Sequence, residues 1–197
     1  MINIKRFELV RGFIDSEALA PRWGAIQVPK EKRRMRKTTL EDVFNGATSG
    51  FSVAGAFFGI VAQEIGMERA LALYAKACET LGVGMGQMMK EQMGIKELDA
   101  KSAIKVAEAI GNNFGVALEA EETPTSVLLT FGRCPVYAAN QAVGIDDETK
   151  ATMCNNGPLK FMDALFKQID PNVGIRRKKF RASLDDFCVK EVSGYRT

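Results

Sequence analysis

The chain of 197 residues contains no histidine. Ser-His-Asp and Cys-His catalytic machines are therefore excluded within one chain, as are His-ligated zinc and haem sites. Cysteine is scarce: four residues in a chain of this size do not make a disulfide scaffold. A strong charge of one sign is lacking too. The net charge is only +3, which argues against a dedicated nucleic-acid binder. The opening "MINIKRFELVRGF" has scattered charges and no apolar core with a small-residue cleavage site, so no signal peptide is expected there. With no sign of export, a reducing cytoplasm is the expected compartment. Neither an internal repeat nor a low-complexity tract is present.

What is there is ordinary for a folded domain: 46% hydrophobic and 26% charged residues, in a length that buries a substantial core. The basic residues gather in "KEKRRMRK" (30–37) and "RRKKFR" (176–181). These read as solvated segments or as contacts to an anionic ligand, and only Phe180 interrupts them with an aromatic platform. The longest uncharged run, "VFNGATSGFSVAGAFFGIVAQ" (43–63), would span about 30 Å as a helix. Its Asn, Thr, Ser and Gln residues weigh against a membrane span. The pairs Gly46/Gly50 and Gly55/Gly59 instead predict a buried helix that lets another helix approach, a pattern that fits a homodimer.

Three parts are expected within one globular domain: an irregular arm over 1–37, a helical part over 38–114 and a cysteine-containing α+β part over 115–197. In "TTLED", Thr38 is the expected cap of the first helix, with Glu41 in capping-box position. A second helix is expected from Met67 to about Met93, and a third from near Asp99. The methionine-rich "MGQMMKEQM" (85–93) reads as a core stripe or an adaptable pocket wall. Then the period changes from helical to alternating. "GVALEAEET" and "SVLLTFGR" predict one hairpin, "VGIRRKKFRAS" and "FCVKEVSG" a second, with short helices between. The fold class is thus α+β: a helical N-terminal half packed on a small antiparallel sheet of two hairpins. The acidic "EAEE" strand and the basic "RRKK" strand are expected to help pair the hairpins.

Cys134 ends a predicted strand, Cys154 a helix, and Cys188 lies in the last hairpin, so all three are expected at one edge of the C-terminal layer. Thiolates are good ligands for zinc or an iron–sulfur cluster, but these wide spacings match no compact zinc-finger or ferredoxin pattern. Three readings stand side by side: a metal site with Asp185 or Asp186 near its fourth position, buried free thiols, or a reactive thiol at Cys134 activated by Arg133. Cys78, among apolar residues of a predicted helix, reads as a core side chain. "GFSVA" (50–54) lacks the strand and the histidine of a nucleophile elbow, and "GVGMG" (82–86) lacks the strand that precedes a phosphate loop.

Residues 131–192, through "RCP" at 133–135, the middle Cys154 and "SLDDFCVKEV", resemble the L-2-amino-thiazoline-4-carboxylic acid hydrolase-like family and, more distantly, the 4-vinyl reductase domain. The chain departs from the first family's Gly-Asp-Asp-x-Cys ending by carrying Leu184 where glycine is common, and it has one cysteine there where some members have two. The resemblance implies that Cys134, Cys154 and Cys188 act as one cluster. It also implies hydrolysis of a C–N or C=N bond in a small cyclic amidine. In that reading Cys-bound zinc activates a water, and Asp185 or Asp186 moves the proton. The alternatives are a non-catalytic small-molecule-binding module with a structural zinc, and an iron–sulfur redox protein. No nucleic-acid or membrane partner is expected.

Overall fold

Thr39 rather than Thr38 opens the first helix: its hydroxyl accepts the Asp42 amide while the Asp42 carboxylate accepts the Thr39 amide, a reciprocal box one residue beyond the expected one. The computed structural model describes residues 37–195. The expected arm, and the basic run up to residue 36, lie outside the described residues. Helices α1 (Leu40–Ile65), α2 (Met67–Met93) and α3 (Ala100–Asn113) come first. Strands β1 (Leu118–Glu122) and β2 (Ser126–Phe131), helices α4 (Pro135–Ala142), α5 (Asp147–Asn156) and α6 (Pro158–Ile169), and strands β3 (Gly174–Lys179) and β4 (Cys188–Ser193) follow. The fold is α+β, with the helical half first and both hairpins in one antiparallel sheet.

The sheet order is β1-β2-β4-β3. The two hairpins join through β2 and β4, so β4 is an inner strand and the acidic β1 never touches the basic β3. That corrects the expected pairing of "EAEE" with "RRKK": the two lie on opposite edges. Arg176 and Lys178 pair with Glu191 of β4 instead. The exposed carboxylates of β1 line an open sheet edge, where charge discourages pairing with another chain.

One face of the sheet carries Val127, Leu129, Ile175 and Val192, and these pack with Ala103, Val106, Ala107 and Ile110 of α3 and with Leu165, Phe166 and Ile169 of α6. Helix α2 lies close on α6. A Cβ at Gly82 would sit 2.3 Å from the Phe161 carbonyl, and one at Gly86 would sit 2.6 Å from that of Leu165. Gly82 and Gly86 of "GVGMG" thus serve helix packing, while Gly84 has nothing against it. Helix α1 departs from expectation in the other direction. Only Gly55 and Phe58 are buried, while Val53, Phe57 and Ile60 are 72%, 67% and 59% exposed, and Gly46, Gly50 and Gly59 have nothing against them. It is long and apolar enough to cross a membrane by length and composition alone. An uncharged run shows that a helix is apolar but not what covers it.

Candidate functional site: an apolar cavity with cationic walls

The elements converge on a cavity of about 380 Å³, within the size range of small-molecule sites. Helical spacing brings Tyr74, Cys78, Leu81 and Met85 of α2 to one wall. Phe51 of α1 and Phe114 after α3 meet as a tilted ring pair with centroids 5.6 Å apart at another. The sheet contributes Phe131, Cys188 and Lys190, and α6 adds Phe161 and Met162. Met85 makes the methionine-rich stretch in part a cavity wall, while Met89 is core.

Cys134 caps α4: its sulfur accepts the Tyr137 amide at 3.4 Å, and Pro135 follows at the first helical position. All four cysteines are free and all four line the cavity, so Cys78 is a wall residue and not simply core. Sharing a cavity does not give them one coordination shell. Among the described residues no group of three or more Cys, Asp or Glu side chains could hold a metal ion. The thiols as arranged do not fit zinc.

Asp185 and Asp186 do not line the cavity. The Asp186 carboxylate accepts the Lys179 ammonium at 2.6 Å and the backbone amides of Ala182 and Phe187 at 2.8 Å each, so it ties the 180–187 loop to β3. Those bonds pull its pKa down to about 2.

Arg133 does not activate Cys134. Its guanidinium is held by Glu41 at 2.6 Å and the Gly115 carbonyl at 2.9 Å, and it stacks on Phe44 at 4.0 Å. Burial pushes the Cys134 thiol up, outweighing the Tyr137 amide and the more distant Arg181 and Lys190, which favour the thiolate. Burial likewise raises Cys78, against a hydrogen bond from Tyr74. The Tyr74 phenol is held well above its ordinary value by burial and then by Cys78. Among the described residues no carboxylate lines the cavity, but four cations do: Arg133, Lys150, Arg181 and Lys190.

Arg181 was not singled out from the sequence, yet it is 1% exposed and ranks first by volume among the fully buried side chains of the described residues. Its Nη2 donates to the Phe131 carbonyl at 2.9 Å, Nη1 to that of Leu184 at 3.3 Å, and Nε to the Cys188 sulfur at 3.4 Å. Lys190 was also missed, though its signal is visible: in "CVKEV" it alternates in phase with the inward Cys188 and Val192.

A family model described as L-2-amino-thiazoline-4-carboxylic acid hydrolase matches residues 47–190. No curated protein matches. One similar solved structure is a trafficking protein particle complex subunit 3 from Naegleria fowleri, covalently bound to palmitic acid. It is 16% identical, covers 75% of this chain and 98% of its own, and has a TM-score of 0.45.

Proposed function

The chain belongs to the L-2-amino-thiazoline-4-carboxylic acid hydrolase family, and from that premise we propose that its cavity binds one small, largely apolar organic molecule. The observation that carries this reading is the cavity itself, with aromatic, aliphatic and thiol walls contributed by helices and sheet together. Hydrolysis of a C–N bond is a second reading, favoured by the family match. It asks for a group that takes a proton from water at neutral pH. Among the described residues the cavity offers no carboxylate, and burial favours the neutral Cys78, Cys134 and Tyr74. Binding is therefore the better supported function.

The native thiols report occupancy. Naphthylmethanol, a neutral apolar probe, is expected to bind and to slow alkylation of Cys134 and Cys154 by N-ethylmaleimide several-fold, read by peptide mass spectrometry. Saturable binding that leaves both alkylation rates unchanged would place the ligand elsewhere and sink the reading. Incubation with L-2-amino-thiazoline-4-carboxylic acid tests the second one: ring opening above the buffer rate, abolished when naphthylmethanol fills the cavity, would establish it. Zinc on Cys134, Cys154 and Cys188 would need a different arrangement of the three thiols. About one zinc per chain in protein purified without chelator would support that arrangement.

A further inference from the structure

We propose that Lys190, with the buried Arg181 behind it, is an anion anchor, and that the ligand the cavity selects is an apolar organic monoacid. This rests on the cavity being a ligand site. The inference begins with the register of the sheet. On the inner strand β4, Lys190 lies opposite the fully buried Leu129 on one side and Arg177 on the other. An ammonium group thus stands on the core face of a central strand, with a second cation directly across from it. Like charges in that position destabilise a strand pair.

Among the described residues no carboxylate neutralises this charge. The Lys190 ammonium meets the Met162 thioether at 2.9 Å and the Phe131 ring at 4.7 Å, two weak acceptors. The Arg181 donors go to carbonyls and a sulfur, which satisfy hydrogen bonds and leave the charge. Arg177 likewise donates to the Ala151 carbonyl. Among the described residues none of the three has a carboxylate partner, whereas the other two cavity cations do: Arg133 has Glu41 and Lys150 has Asp147.

A buried charge without a counter-ion is costly, and a fold keeps one where something supplies the opposite charge. A carboxylate entering the cavity beside Lys190 would do so. Lys190 has donors free for it, while Arg181, each of whose three nitrogens already donates one hydrogen bond, contributes chiefly field. Most of the remaining wall is apolar, and its other two cations, Arg133 and Lys150, already hold carboxylates, so the rest of the ligand must be largely apolar too.

Naphthoate and naphthylmethanol share a ring system and differ in charge. The wild-type protein is expected to bind the acid about tenfold more tightly than the alcohol by calorimetry. Lys190→Met should remove that preference and leave alcohol affinity within about twofold, while Lys190→Arg should keep it. Equal wild-type affinities for acid and alcohol would overturn the anchor and leave the cavity reading standing. So would an acid preference that survives in Lys190→Met. Binding of neither compound would overturn both. The wild-type comparison decides the matter even if the methionine variant fails to fold.

Discussion

On β3 and β4, one strand pair holds its cations in two ways. Outward, Arg176 and Lys178 share the Glu191 carboxylate, which also takes the Ser126 hydroxyl. Inward, Arg177 and Lys190 face each other with Arg181 nearby and without a carboxylate among the described residues. The outer arrangement pairs two exposed cations with one carboxylate. The inner one places uncompensated charge next to a cavity. Counting basic residues in "RRKKFR" hides this, because alternation sends neighbours of that run to opposite faces.

Breaking the inner set at Arg181 should have the largest effect. Arg181→Ala removes a fully buried side chain, opens a void against Tyr137 and leaves the Phe131 and Leu184 carbonyls without their donor. A loss of about 3 kcal/mol is expected in urea denaturation at neutral pH. A change under about 1 kcal/mol would mean that the desolvated charge had cost nearly as much as its bonds returned. That would strengthen the contrast with the outer face.

Much of this architecture is legible in the sequence. The bounds of α2 and both hairpins follow from periodicity of 3.6 or 2. The order β1-β2-β4-β3 is not, since charge complementarity between "EAEE" and "RRKK" says nothing about which edges meet. Spacing of four between glycines is equally visible in α1 and α2, yet only Gly82 and Gly86 touch another helix backbone. The site is half legible. Convergence of Cys134, Cys154 and Cys188 could be expected from their places at element ends, and they do share one cavity. Their mutual separation depends on how α4, α5 and β4 pack, which no spacing in the chain encodes. Lys190 was readable from alternation alone, as a lysine in phase with two buried neighbours.

Lys179 sharpens the comparison, because it lies two residues beyond Arg177, across a register shift that sets it opposite Val189, and does receive a carboxylate, from Asp186. The folded pKa of Asp186 is about 2 against an ordinary 3.8. A depressed carboxylate pKa contributes stability in full above its unfolded value, and that contribution is lost as pH falls through the folded value. Asp186→Asn should therefore be less stable than wild type at pH 7. The gap between their denaturation midpoints should narrow from about pH 4 down to about pH 2. An unchanged gap across that range would mean that the carboxylate charge is not what holds the 180–187 loop.

The smallest effect belongs to the outer face. Lys178 is 47% exposed and lies 3.7 Å from Glu191, a carboxylate that Arg176 already engages. Water solvates its ammonium whether or not the pair forms, and ordering a long side chain offsets what remains of the attraction. Lys178→Ala should leave stability within about 0.5 kcal/mol of wild type, and added salt should leave that difference nearly unchanged. Naphthoate affinity should also be unaltered, since the side chain points away from the cavity that Lys190 lines. If removing Lys178 weakened acid binding as much as removing Lys190, the anchor would be the summed charge of the strand pair. The distinction between its two faces would then fail.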